Sequence, residues 1–373
     1  MLIRIDSSGV EDAAGDGPTA ASSLDALEML LRAHGQGKHV LSVEATARKA
    51  LRDRPLSHLA RASLDRIVAD RASIESLRKS LRHHLVAGVG PAFDGSEERQ
   101  GDRVVLKAPL HHFSGDFERA GRSVLVGEDR TDVELFECFG RAWLAKKGWR
   151  TELACELRGG GGSSIADVFE GAAADGRIVL ALADSDATCP DGALGQTCHK
   201  LLKAAEGKPS FQRARSLPVR AAENLIPLSI YDEALAPHTA DHTGTSAFGR
   251  LETLSKKPVP PAWKDHADLK DGLTLAHVEG MADSPGGQFW RDVATRAGRG
   301  ECWRQPRCKK REECSCFVTD GLGKQVLARV VRWMKAQPPR HVGNLLDFGA
   351  TPHVDGVTDQ VVAWGIAPGR RVL

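Results

Sequence analysis

The feature that most constrains this chain is a run of apolar segments between residues 123 and 183, alternately of strand length and of helix length. Ser123–Gly127 (SVLVG) is a short apolar run. Asp132–Lys147 follows with Val133, Phe136, Phe139, Trp143 and Leu144 at helical spacing, Lys146 and Lys147 in its last turn, and Gly148 after it. Thr151–Leu157 is again of strand length, and Ser163–Ala174 reads as a second helix closed by Gly176. Arg177–Ala183 (RIVLALA) is the continuous apolar stretch that a parallel strand buried on both faces requires. The order β-α-β-α-β predicts a parallel sheet with helices on its faces, since only a crossover returns the chain in the same direction. The expected fold class is α/β, with a parallel sheet at its core.

The flanks read differently. Leu2–Ile5 is a short strand, and from Ser23 to about Val86 apolar residues recur three and four apart, as in Leu27, Leu30, Leu31 and in Ile74, Leu77, Leu81, Leu85. With Gly35, Gly37 and Pro55 as interruptions, 1–117 is expected to be a mainly helical region whose end, from 87, is a connector. The α/β core is expected over 118–235, ending in a helix through Lys203 and a strand at Arg213–Val219. The C-terminal region is 236–373, with an amphipathic helix at Gly323–Gln337.

The 373 residues carry 51 Lys and Arg against 49 Asp and Glu, so the global charge does not announce a nucleic-acid partner and local charge must supply any such contact. Ile178–Ala183 falls far short of the roughly 20 apolar residues that cross a bilayer, and the first residues are acidic and Gly-rich. The expectation is a cytoplasmic protein without membrane contact. Eight cysteines are too few for a disulfide scaffold in a chain this long.

In an open parallel sheet, ligands bind beyond the carboxyl ends of the strands, where the loops converge. Glu128 follows the first strand of the core, Gly159–Gly162 the second, and Asp184 and Asp186 the third. In an extended chain Asp184 and Asp186 project to one side, where a cation relieves their repulsion, and carboxylates so placed suit Mg²⁺ or Mn²⁺. Each residue also has an ordinary reading: Asp132 fits a helix N-cap, Asp184 and Asp186 fit a turn, and the glycine run fits a flexible connection. The functional reading gains from position, because three successive strands deliver their distinctive residues to one edge.

On these residues the segment from Leu125 to Pro190 resembles a Toprim domain, the metal-binding α/β module of topoisomerases, bacterial primases and nucleases of the overcoming-lysogenization-defect type. Glu128-Asp129-Arg130-Thr131-Asp132 has the nuclease-branch spacing of a strand-terminal Glu and an Asp four residues on. Gly159–Gly162 stands at the family's glycine turn and Asp184-Ser185-Asp186 at its Asp-x-Asp. Arg220-Ala221-Ala222-Glu223-Asn224-Leu225-Ile226-Pro227 is similar to the Glu-Asn segment of such proteins in bacterial defence systems, whose Glu lies near the metals.

The resemblance spans roughly 115–235. It implies a Toprim-like fold and a metal-dependent nuclease, an endonuclease first of all, acting on DNA or RNA as the toxic effector of an antiphage system. The chain has no Walker A motif, so the ATPase that accompanies such nucleases is expected as a separate ATPase or sensor subunit, and a homo-oligomer is compatible. Tyr231, the single tyrosine, lies in no topoisomerase context.

Phosphodiester hydrolysis by two ions about 4 Å apart needs carboxylates to hold them. The expected assignment is Glu128, Asp184 and Asp186 to one ion, and Asp132 and Glu223 to the second, with Glu128 doubling as proton shuttle; a one-metal arrangement stays open. Gly160, Gly161 and Arg220 are the candidate phosphate contacts, with Arg130, Arg158 and Lys200 close in sequence. The rival reading, from another class, is a non-catalytic Toprim-like subunit that binds nucleic acid or a complex and keeps the acids as remnants. A dinucleotide site read from Gly159-x-Gly161 fails at Ser164, where a third glycine or alanine belongs.

Cys302, Cys308, Cys314 and Cys316 offer four thiols within fifteen residues, enough for a tetrahedral Zn²⁺ shell. The loop between them carries Arg304, Arg307, Lys309, Lys310 and Arg311 and cannot bury a core, so a structural zinc staple is expected. An iron–sulfur cluster and unligated thiols are the alternatives. His238-x₃-His242 has one-turn spacing, but Pro237 beside it argues for a loop.

Overall fold

The computed structural model describes residues 1–235, 247–299 and 314–369. In chain order the strands are β1 (Leu2–Ile5), β2 (Val40–Ser42), β3 (His83–Gly88), β4 (Glu97–Gln100), β5 (Arg103–Pro109), β6 (Val124–Gly127) and β7 (Thr151–Leu153). They continue with β8 (Glu156–Gly159), β9 (Val179–Ala183), β10 (Gln212–Ser216), β11 (Gly272–Thr274), β12 (Phe317–Asp320) and β13 (Ile366–Pro368). The described residues form a mixed α/β protein with parallel strands at its core and many helices. Among them, no helix is long and apolar enough to cross a membrane.

The chain divides into two compact units: Met1–Leu182 with Lys200–Arg215 and Asp355–Leu373, and Ala183–His199 with Ser216–Val354. The first unit takes in residues from both of the regions expected as 1–117 and 118–235. Most of both belongs to the first unit, to which the last helix also returns: Trp364 is fully buried and its Nε1 donates to Val179 O at 3.0 Å, on β9.

Within the first unit, the core elements follow the order read from the sequence. β6, the helix Arg130–Lys147, β8, the helix Ile165–Ala174 and β9 succeed one another, and β6 pairs in parallel with both β8 (Leu125↔Leu157) and β9 (Leu125↔Leu180). The sheet order β10-β9-β6-β8 means that the chain steps to one side of β6 and then to the other. This makes the carboxyl end of β6 a topological switch point. All residues of β6 and β9 are buried, which is why RIVLALA shows no alternation.

The expected strand Thr151–Leu157 divides in two. β7 pairs antiparallel with β13, while β8 joins β6; the partner changes between Ala154, whose N–H donates to Gly365 O at 2.8 Å, and Glu156, whose N–H donates to Ser123 O at 2.9 Å.

The N-terminal region departs from expectation. Its helices are present (Ala20–Gly35, His58–Ala69, Arg71–Ser80), but between them runs a five-stranded sheet of order β2-β1-β3-β5-β4, parallel except for β4. β3 was hidden because Leu81 and Leu85 continue the helical spacing of Ile74 and Leu77, and the helix ends at Ser80 all the same. Its backbone is claimed by β1 and β5, and a three-residue strand such as β2 leaves no periodic trace.

The second unit holds the antiparallel pair β11–β12 and several short helices, among them Val326–Ala336, as expected within 323–337. Its buried Asp320 is paired with Arg250 at 2.7 Å and Arg299 at 3.5 Å, and Trp290 Nε1 donates to Thr188 O at 2.7 Å.

Burial pushes the imidazoles of His34 and His84 down from 6.5 to about 4. Between those values the unfolded chain binds the extra proton, so stability falls as pH drops from about 6.5 toward 4. Urea unfolding across this window is expected to show that decline, with His84→Gln lowering the pH slope by about one proton. An unchanged slope would contradict the burial assigned to His84.

Candidate functional site

The acids singled out by the sequence divide between the two units. In the first, β6 runs out at Gly127 and the half-buried Glu128 occupies the bend before the helix Arg130–Lys147. The helix starts earlier than expected, and its N-cap is Asp129, not Asp132. The Asp129 carboxylate accepts from the N–H groups of Thr131 and Asp132, and Asp132 Oδ2 accepts from Asp129 N at 2.9 Å, closing a capping box. Asp132, 6% exposed, is thus committed through one oxygen to the turn that carries Glu128.

The glycine turn after β8 packs against the same bend. Gly160 N–H donates to Gly127 O at 2.9 Å and Gly162 N–H to Glu128 O at 2.8 Å. A Cβ on Gly160 would lie 2.4 Å from Ile165 Cα, and Gly161 and Gly162 have φ of 63° and 78°. Close approach and left-handed backbone account for these glycines, so the run is a packed turn and not a flexible connection. With its N–H spent on Gly127, Gly160 does not offer that group to a phosphate. Arg130 donates to Leu157 O at 2.6 Å and pairs with Glu134, and Arg158 pairs with Glu156 at 2.7 Å.

In the second unit the expected extended Asp184-Ser185-Asp186 is corrected. Asp186 has φ 55°, in the left-handed region, so the chain turns there and the two carboxylates do not share one side of a strand. The turn is held by Ser185 Oγ donating to Val219 O at 2.8 Å, by Asp186 N–H donating to Arg220 O at 2.9 Å, and by Gly195 N–H donating to Ser185 O at 2.8 Å. Gly195 is required because a Cβ there would meet the Asp186 carboxylate. Asp184 is buried and its Oδ1 accepts from Ala222 N–H at 3.0 Å, while Asp186 is exposed.

That contact brings in the 3₁₀ turn Ala222–Leu225 with Glu223, which is 1% exposed. Glu223 Oε1 is paired with Lys270 Nζ at 3.1 Å, and its carbonyl accepts from Tyr231 Oη at 2.9 Å. Burial and the Glu223 charge push the Tyr231 phenol well above 10, so this hydroxyl is a strut and not a nucleophile. Asn224 caps the start of this turn, its Oδ1 accepting from Ala221 N–H at 3.0 Å, and its Nδ2 donates to Lys264 O at 2.6 Å and Ala267 O at 2.9 Å.

The sequence reading missed the segment Lys264–Lys270, which these bonds place against the 222–225 turn. Burial lowers the Lys264 ammonium to about 8, with Asp265 acting in the opposite sense, and its Nζ donates to Asn224 O. Asp268 Oδ2 pairs with Arg220 at 3.1 Å, so the candidate phosphate contact Arg220 already has a carboxylate partner. The available signal was the charge pattern Lys264-Asp265-His266-Ala267-Asp268-Leu269-Lys270 directly after a Pro-rich stretch.

Carboxylate oxygens are the donors that Mg²⁺ and Mn²⁺ take, and a buried Glu223 that already holds a cationic partner has the right chemistry. Among the described residues, however, no three His, Cys, Asp or Glu side chains are gathered as a metal shell. Cys302, Cys308, His238 and His242 lie outside the described residues. Cys314 and Cys316 are buried beside β12, with Cys316 N–H donating to Cys314 Sγ at 3.5 Å. Comparison with protein-family models, with curated proteins and with solved structures gave no match.

Gly160→Ala is expected to destabilise the chain by about 2 kcal/mol or more, because the clash is with backbone. Gly171→Ala, in the open middle of the helix Ile165–Ala174, should stabilise it by about 0.5–1 kcal/mol. Chemical denaturation of the two variants checks both; equal effects would refute the packed-turn account.

Proposed function

We propose that this chain is a Mg²⁺- or Mn²⁺-dependent nuclease with a Toprim-like core, in which Glu128, Asp184 and Asp186 serve the reaction and Asp132 and Glu223 complete the ligand set. The observation that carries the reading is the parallel pairing of β6 with β9, because Glu128 directly follows one strand and Asp184 directly follows the other. The ions would supply an activated water and charge relief on the phosphate. The chain's own contribution is to hold the carboxylates: the capping box fixes the Glu128 turn, and the Ala222 N–H fixes Asp184. Activation by a separate ATPase or sensor subunit and an antiphage role belong to the same proposal, and the sequence resemblance alone supports them.

A second reading, a non-catalytic subunit that binds nucleic acid or a complex, is favoured by one observation. Glu223 and Arg220 are already paired within the protein, with Lys270 and Asp268 respectively. Digestion of supercoiled DNA, linear DNA and total tRNA with Mn²⁺, with and without the product of the neighbouring gene, separates the two. Metal-dependent cleavage reduced at least about a hundredfold in Asp184→Ala is the expected result; cleavage equal to wild type would refute the assignment.

For the cysteine region we propose structural Zn²⁺ on Cys302, Cys308, Cys314 and Cys316. The support is the buried Cys314-x-Cys316 pair, with Cys316 N–H donating to Cys314 Sγ at 3.5 Å. Elemental analysis of the purified chain should find about one zinc per chain, lost in a Cys314→Ser, Cys316→Ser variant. A metal-free wild-type protein prepared without chelator would rule this out.

A further inference from the structure

The segment Arg141-Ala142-Trp143-Leu144-Ala145-Lys146-Lys147-Gly148-Trp149-Arg150 holds four cations, two indoles and no acid. The function proposed above uses none of these residues. They close the helix Arg130–Lys147 at the end away from the Glu128 bend, and its 18 residues span about 27 Å. Trp143 shares the helical spacing of Phe136 and Phe139, yet those two are fully buried while Trp143, like Trp149, is only half-buried.

The way the helix ends fixes both rings. Gly148, at φ 68°, donates its N–H to Ala145 O, and the Trp149 N–H donates to Leu144 O, each at 3.2 Å. Two residues later Thr151 enters β7, where it lies opposite Pro368 of β13. Trp149 is thereby held between a capped helix and a paired strand, and its ring meets that of Trp143 edge to face, with centroids 5.0 Å apart at 83°. An apolar contact across such a cap is ordinary and any aliphatic pair makes it, so the cap does not call for two indoles left half in water. Lys147 extends its Nζ over Trp143, 5.6 Å from the ring centroid. Neither Lys147 nor the exposed Arg150 has a carboxylate partner among the described residues, whereas Arg141 pairs with Glu137 at 2.8 Å.

Aromatic faces beside cations without carboxylate partners complement planar bases on a phosphate chain. In a duplex the base faces are stacked on one another, so only a single strand offers bases and phosphates together. We propose that Trp143 and Trp149, with Lys147 and Arg150, form a binding surface for single-stranded nucleic acid, remote from Glu128. The indoles take the bases and the two cations take backbone phosphates. The inference does not rest on the metal-dependent reading, because this surface needs neither an ion nor a cleavage step.

The test is fluorescence anisotropy in EDTA, with the full-length chain titrated into a labelled oligothymidylate of about 20 nucleotides and into a duplex of the same length. Trp143→Leu, Trp149→Leu and the double variant Lys147→Gln, Arg150→Gln are first shown folded by thermal melting. The expected result is a single strand bound at least about tenfold tighter than the duplex, and at least about fivefold weaker by either Leu variant. The charge variant should lower the slope of log affinity against log salt by about 1. Photo-cross-linking of an iodouridine oligonucleotide to the wild-type chain, mapped by mass spectrometry, should mark Trp143 or Trp149 and keeps the test decisive should the indole variants not fold. Absence of single-strand binding, wild-type affinity in the Leu variants, a loss shared equally with the duplex, or cross-links confined to other segments overturns the proposal. Self-association of the wild type that Trp149→Leu abolishes also overturns it, by making the patch an interface between copies of this chain. Metal-dependent cleavage is scored separately, so either reading can fail while the other stands.

Discussion

β6 and β9 lie side by side with every residue buried, Leu125 against Leu180 and Val126 against Ala181, and much of the first unit follows from that pairing. Buried backbone groups must be hydrogen-bonded, so these strands can exist only as central members of a sheet covered on both faces. The two crossover helices supply that cover, and Trp364, reaching Val179 from near the end of the described chain, adds to it. The switch in direction around β6 then fixes where loops can converge. Glu128 directly follows β6, in a bend held by the Asp129–Asp132 capping box and by Gly162 N–H on its carbonyl.

Carboxylates near such strand ends are costly to bury, and the protein meets the cost with local partners. Asp132 is held by the Asp129 N–H, Asp184 by the Ala222 N–H, Glu223 by Lys270, and Asp268 by Arg220. These acids are therefore structural as well as chemical groups. A substitution at any of them therefore acts first on the turn that it holds. The same logic explains why the 264–270 segment matters: Lys264, Asp268 and Lys270 all enter the network of the 222–225 turn.

Legibility in the sequence tracked the range of the interactions involved. The amphipathic helices and the apolar strand RIVLALA were readable because their burial repeats along the chain itself. β3 was not, since its apolar residues sit in phase with the preceding helix and only pairing with β1 and β5 separates them. The split of Thr151–Leu157 between β7 and β8 was equally hidden, because the partner of β7 is more than two hundred residues away. Asp186 shows the limit at a site: spacing predicts two carboxylates on one side, while the left-handed turn there is imposed by Ser185, Arg220 and the close approach of Gly195.

By itself, the sequence determined the α/β class, the β-α-β-α-β order of the core, and the placement of Glu128 and Asp184 immediately after their strands, since each depends only on local periodicity and chain connectivity. The tertiary structure alone decided the second sheet in the N-terminal region, the division into units, the capping role of Asp132, and the pairing of Glu223 with Lys270. Strand partners and charge partners are chosen by which distant backbone and side-chain groups are left needing a mate after the helices have packed, and that choice is written in no single stretch of residues.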